Sequence, residues 1–575
     1  MTPEIRQLND NSKIVDSIQT PSGRSQSEPP TGIGMGRDIN ASGQCESLLE
    51  QMPLELKYKI IDYLHLPTAN LLKRTCSNLK NAIKDGDVLA KAWYNRFPSA
   101  HQARLETIVS TKDDNQLHDW LGQFTNDKAL IKSLIQCRES CDFPAIFYFT
   151  MTELMSKCET FKLVDNGEIS HAGRVALATF SDDGLHVLTR RVSAGPNTVK
   201  IFGQSISGSW DVKANIPHID CTNSANFSTD GNHLVTASSD GTAKIYGQEA
   251  DGSWEAKVTI NHVREVNSAI FSPDGTLVVT ASDDCNAQIY GLEADGSWVP
   301  RASIFHEGSI TSANFSADGR YVITTGNDMK LRIHYREEDG SWLFKDTITH
   351  DSNLDSAIFS PDGAHVMTIG QMFANNMDLF TPDSICDYMV IIYGQDSDGF
   401  WKEKADIRHF REVNSASFSP DGIHVVTASR DGMAQIYGQK ADGSWQRKAN
   451  IVHQKSVVSA TFSVDGRHVV TASYDKTVKI YVLRADGVWK EKASIAHDDE
   501  VNSAIFSSDG RHVVTASKDK TAKIIGQEID GSWVVKGTIS HQGAVDSATF
   551  SSDVRYVLTA SRDQTVKITE IRMGN

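Results

Sequence analysis

Two hydrophobic rhythms divide the chain. Between Ser47 and Phe97 apolar residues recur at helical spacing: Leu56, Ile60 and Leu64, then Leu72, Cys76, Leu79 and Ile83, with a break near Pro67. Residues 101–160 continue in helical style through stretches such as DDNQLHDWLGQF and DKALIKSLIQC. From residue 161 the rhythm shortens to β-type runs, four to a unit, separated by turn signals. In the unit 262–305, Ser272-Pro273-Asp274-Gly275 suits a tight turn, because proline presets φ early in it and glycine accepts positive φ at its end. Asp295-Gly296 marks a second turn.

Each β unit opens on a histidine: His171, His218, His262, His306, His350, His409, His453, His497 and His541, with six of the eight spacings equal to 44 residues. Four antiparallel strands repeated at that period predict a β-propeller, in which neighbouring sheets bury one another's faces around a channel. The segment FKLVDNGEI at 161–169 aligns with the fourth strand that precedes every later histidine, while the last unit stops after its third strand. An N-terminal strand completing the final blade would leave no open sheet edge, and nine blades follow. The other count is eight blades with an irregular end, since the first unit carries Pro196 where the others place Asp.

The fold class expected is therefore α+β multidomain. A disordered arm spans 1–45, rich in Ser, Gly and Pro; a helical module 46–100; a helical linker 101–160; and an all-β propeller 161–575.

The units resemble WD repeats in their leading His, FSPDG turn, TAS strand, following Asp and late aromatic residue, a resemblance covering about residues 161–569. The name-giving Trp-Asp pair is absent; Tyr246-Gly247, Tyr290-Gly291 and Tyr437-Gly438 stand in its place. The other partners persist, with His218, Ser238 and Asp240 in one unit and His409, Ser429 and Asp431 in another, so a buried hydrogen-bond network is expected, to which Tyr can bring a hydroxyl. The segment 47–97 resembles an F-box in Pro53, Leu54, Glu55, Leu56, Ile60, Ile61, Leu64, Leu71, Leu72, Leu79 and Trp93. That resemblance implies that Pro53, Leu54, Leu56, Ile60, Ile61 and Leu64 meet the adaptor subunit of a cullin-type ubiquitin ligase, although a plain three-helix bundle also needs such spacing. F-box and WD repeats together imply a substrate receptor that links a target protein to the ligase. The alternative is a propeller scaffold that recruits no ligase. The near-identical EVNSAIFS (265–272) and EVNSASFS (412–419) also resemble bacterial WD repeats, and an F-box in a bacterial chain implies an effector working in the cytoplasm of a host cell.

A formal charge of −16 argues against nucleic acid as a general partner. No apolar run reaches a bilayer span, no signal peptide opens the chain, and the eight cysteines are scattered, so a reduced, cytoplasmic protein with no membrane partner is expected. The repeated Ser, His and Asp mimic a hydrolytic triad, but one copy per unit favours a structural role. With no phosphate loop, zinc pattern or nucleophile elbow, neither cofactor nor catalysis is expected. A second series, His233, His365, His424, His468 and His512, reads as surface polarity.

Candidate substrate contacts are loop residues that vary between units: Arg264 and Arg411 after the leading histidines, and Arg430, Tyr474, Lys518 and Arg562 just before the repeat Asp. Guanidinium forks suit an acidic or phosphorylated degron, and Tyr474 an aromatic anchor. Asp283 and the run Asp498, Asp499, Glu500 argue instead for a mixed solvated rim. An insertion of 15 residues near 371–385, with Met372, Phe373, Met377, Leu379 and Phe380, lengthens one unit on the same face.

Overall fold

A computed structural model describes residues 87–573, except 96, 98, 123–124, 126–127, 137, 139–142, 159, 172, 192–197, 205–208, 372–387, 397 and 529. The expected arm, the F-box-like residues 47–86 with all six expected adaptor contacts, Pro196 and nearly all of the insertion lie outside them.

Five helices come first: α1 (Asp87–Tyr94), α2 (Ser99–Ser110), α3 (Asp114–Gly122), α4 (Lys128–Gln136) and α5 (Phe143–Lys157). A capping box starts α3, the Asp113 carboxylate accepting the Gln116 N–H at 2.8 Å and the Gln116 side-chain carbonyl accepting the Asp113 N–H at 2.8 Å. Phe147, Met151 and Met155 recur every four residues on α5, and all three are fully buried. Trp93 of α1 stacks edge-on with Phe97 and Phe149, ring centroids 4.7 and 6.0 Å apart.

Nine four-stranded antiparallel sheets follow. Blades 1 to 8 span 175–217, 222–261, 266–305, 310–349, 354–409, 413–452, 457–496 and 501–540. Blade 9 takes three strands from 545–573 and its outer strand from Phe161–Ser170, which pairs with Thr565–Met573 from Phe161↔Met573 to Ser170↔Thr565. The ring is thus closed by the N-terminal strand, and of the two counts nine holds.

The core lies between blades. One cluster joins Val235 and Ile245 of blade 2 to Val266, Val278 and Trp298 of blade 3, and another joins Tyr556 and Leu558 of blade 9 to Val175 and Val187 of blade 1. Each sheet therefore buries both faces only because it has two neighbours. The helices extend one seam: Trp93, Trp120, Phe147 and Met151 share a cluster with Val514 and Ile524 of blade 8 and Phe550 and Val557 of blade 9.

Asparagines near the start of the inner strands bind the next blade, Asn223, Asn267, Asn414 and Asn502 donating to the carbonyls of Val266, Ile310, Val457 and Val545 at 2.7–2.9 Å.

Candidate binding face

Because the strands alternate in direction, the His-led loops and the Asp-containing turns share one end of the ring, and the FSPDG and DGS turns share the other. Helices occupy the second end. His101 of α2 meets the Ser508 carbonyl of a blade 8 turn at 3.0 Å. Thr107, Thr111 and Lys112 face Asp182, Thr229 and Pro273 of blades 1 to 3 across a cavity of about 830 Å³. The His-led end carries no such cover among the described residues.

A threonine, not the expected serine, completes the histidine network at that end. His218 donates Nδ1–H to Asp240 Oδ2 at 2.9 Å, and its Nε2 accepts from the Thr236 hydroxyl at 2.8 Å. The same triplet, at 2.7–3.1 Å, holds His262 with Thr280, His306 with Thr324, His409 with Thr427, His453 with Thr471, His497 with Thr515 and His541 with Thr559. Ser238 and Ser429 instead take the N–H of Asp240 and Asp431 at 3.2 and 3.1 Å, bracing the turn. The tyrosine of Tyr-Gly is not needed to close any of these networks.

Burial holds His218 below the usual histidine range despite Asp240 beside it. Burial alone would raise Asp240, but hydrogen bonds from the Thr242 hydroxyl, the Ile219 N–H and His218 bring it down to about 2. A neutral imidazole and a carboxylate so placed orient two loops. Among the described residues no group of three or more His, Cys, Asp or Glu could hold a metal ion, and no helix is long and apolar enough to cross a membrane.

Two units lack the carboxylate partner among the described residues. His171 and His350 each leave Nε2 without a hydrogen-bond partner, and burial pushes both down to about 4. At His350 the Tyr393 hydroxyl lies 3.5 Å from Nδ1, beside a cavity of about 130 Å³ that Thr368 and Glu403 also line.

The second histidine series is not surface polarity. His365, His424, His468 and His512 are at least nine-tenths buried, and His233 is partly so. Each ring meets, edge-on or tilted, an aromatic ring on the outer strand of the next blade: Trp298 for His233, Trp445 for His365, Trp489 for His424, Trp533 for His468 and Phe161 for His512, at 5.4–5.9 Å. His186 does the same with Trp254 at 5.4 Å. Tyr-Gly makes room for this stack, since a Cβ on Gly438 would lie 2.8 Å from His424 Cδ2 and 2.9 Å from Lys448 Cε. Lys448 reaches across because the outer strand bulges there, Ile436 pairing with Ala449 and Tyr437 with Arg447.

All six expected substrate contacts lie on the open end, and three of them share one depression. Arg411, Arg430 and Tyr474 line a cleft of about 770 Å³ between blades 6 and 7. Arg430 pairs with Glu412 at 2.8 Å. Lys518, one blade on, pairs with Glu500 at 2.5 Å and lies 5.0 Å from the Tyr474 ring. Arg562 pairs with Asp546 at 2.9 Å, and exposed Arg264 sits apart on blade 3. The reading from sequence missed Phe410, Lys455 and Val458 of the same cleft. An apolar residue directly after a leading histidine was the available signal, carried also by Ile219 and Val263, which are 88% and 90% exposed.

Seven segments match the family model of the WD domain, G-beta repeat: residues 215–247, 255–291, 298–334, 403–438, 446–481, 489–525 and 533–569. The chain carries WD40 repeats. Of the nine His-led units, those of His171 and His350 lie outside the matched segments. Among solved structures, similarity extends to Sqt1 of Chaetomium thermophilum bound to the N-terminus of ribosomal protein L10, at 16% identity and a TM-score of 0.48, covering 72% of this chain and 100% of that one. The C-terminal WD40 domain of Sif2 is 15% identical with a TM-score of 0.44, covering 61% of this chain and 96% of that one. No curated protein matches the chain. A WD40 propeller whose loop face carries no helix among the described residues is suited to protein–protein interaction.

Proposed function

We propose that this chain is a non-catalytic recognition subunit that links a target protein to a cullin-type ubiquitin ligase. The propeller holds the target on its His-led face. The segment 47–97, which resembles an F-box, takes the ligase adaptor through Pro53, Leu54, Leu56, Ile60, Ile61 and Leu64. The observation that carries this reading is the division of the two faces: α2 is fixed to the turn end at His101 and Ser508, so a target on the loop end does not compete with that helix. Such an arrangement requires only that each partner bury an apolar patch of ordinary interface size.

One observation favours a plain scaffold without ligase recruitment. Trp93, the late tryptophan of the F-box-like pattern, is buried against Phe97 and Phe149 in the cluster that includes blades 8 and 9. A helical cap would need that contact with no adaptor at all.

Calorimetric titration of the full chain with the purified adaptor subunit separates the two. Micromolar or tighter association, abolished by Leu54→Asp with Ile60→Asp in protein shown to remain folded, supports the ligase receptor. Absence of binding by folded wild-type chain leaves the scaffold.

A further inference from the structure

We propose that the cleft between blades 6 and 7 binds an extended peptide segment of a partner protein in which a carboxylate side chain lies one or two residues from an aromatic or large aliphatic one. This rests on the reading of the His-led face as the partner-binding face, and it assigns the class of segment bound there.

The argument is one of charge and exposed apolar surface at a single seam. Phe410 is 65% exposed at the lip of the cleft, with Val458 and half-buried Tyr474 also lining it. An aromatic ring left that open on a rigid loop offers anchor area at small entropic cost. Arg411 and Lys455 line the same cleft and have no carboxylate partner among the described residues. Arg430 adds a guanidinium shared with the exposed carboxylate of Glu412. The one acidic residue lining the cleft, Asp431, is committed to His409 at 2.9 Å and to the Phe410 N–H at 3.2 Å. The cleft is therefore a cationic, partly aromatic site in a chain of formal charge −16.

Equivalent seams do not share this character. After His306 and His497 the loops place Glu307 and Asp498 where the loop after His453 has Gln454. Glu307 is tied to Lys330 at 2.9 Å, and Lys518 to Glu500. A carboxylate ligand would meet repulsion or spent cations at those two seams, and finds a free pair between blades 6 and 7.

Fluorescence anisotropy of the full chain with a labelled Ser-Asp-Glu-Ala-Phe-Leu peptide tests the assignment. Saturable binding is expected, weakened about tenfold or more by Arg411→Glu with Lys455→Glu and by alanine at the peptide phenylalanine, and reduced by added salt. Arg320→Glu, in an exposed turn of blade 4 at the other end of the ring, is expected to bind as wild type. Equal binding by Arg411→Glu/Lys455→Glu, or no saturable binding by wild-type chain with an intact thermal transition, overturns the proposal. So does binding confined to a phosphoserine version of the peptide, which would make phosphate the anion read. Adaptor titration of the same preparations is independent of these outcomes, so failure here and failure of ligase recruitment are told apart.

Discussion

Phe161 stands 5.6 Å from the His512 ring, in the place where blades 2, 3, 6, 7 and 8 each offer a tryptophan to the histidine of the blade before. It does so from a strand that precedes the whole propeller in sequence, so the last seam is filled by a residue about 350 positions away from its neighbours. Loop closure over such a distance is entropically costly, and the seam has to supply contacts to offset it.

Phe161→Ala is therefore expected to lower stability by about 3–5 kcal/mol, the usual cost of emptying a well-packed aromatic site. Phe161→Trp restores the ring type used at the other seams and is expected to cost far less. Denaturant unfolding of both variants against wild type checks the order, and an alanine variant indistinguishable from wild type contradicts a closed ring.

Thr280→Val keeps shape but removes the hydroxyl that donates to His262 and accepts the Gln288 N–H at 3.2 Å. Two buried polar groups lose their partner, so a loss of about 1–3 kcal/mol is expected, with Thr280→Ser close to wild type. Ser282→Ala, which removes a brace of the turn rather than the histidine contact, is expected to fall between them. Thermal unfolding of the three variants decides whether threonine is the network member.

The contrast between Thr280 and Ser282 also marks how far the sequence could be read. His-to-Asp spacing, turn residues and the stray strand at 161–169 lie within one repeat or at its ends, and they led to nine blades. Thr280 and Ser282 are two residues apart on one strand and so share a face, and alternation alone does not separate them. The second histidine series was misread for a different reason. Its burial comes with an aromatic ring on the following blade, a contact between repeats that no single repeat displays. Arg430 and Lys518 were legible as cations on the right face, but not as cations already held by Glu412 and Glu500. Residues 47–86, outside the described range, keep only their sequence pattern.

Gly438→Asp would restore the acidic residue usual after the aromatic one in WD repeats, and it is expected to destabilise by about 1–3 kcal/mol, because the new Cβ meets His424 and Lys448. Adding His424→Ala opens space and should recover part of the loss, giving a non-zero coupling energy where independent sites would give none. A double-mutant cycle by chemical denaturation measures it, and strict additivity would mean that the glycine is not there to admit the histidine.

The buried histidines also set an acid limit. His171, His334 and His350 are held down to about 4 by burial, whereas an unfolded histidine titrates near about 6.5. Their folded-state values are lowered, so the unfolded chain binds protons that the folded chain refuses. Stability from these groups is complete above about pH 6.5 and is lost as pH falls toward and through 4. The carboxylates of Asp240, Asp475 and Asp519, brought to about 2, act lower, their contribution fading only as pH drops below the ordinary carboxylate range. Asp355, raised by burial and by Glu412 nearby, runs the opposite way but is a single group. Between pH 6.5 and 4.5 the histidines dominate, so the unfolding temperature is expected to fall steadily there and unfolding at pH 5 to take up protons. Calorimetry at pH 5 in two buffers of different ionisation enthalpy reads that uptake directly; a value of zero, or an unfolding temperature unchanged from pH 7 to 5, would contradict the burial of these rings in their neutral form.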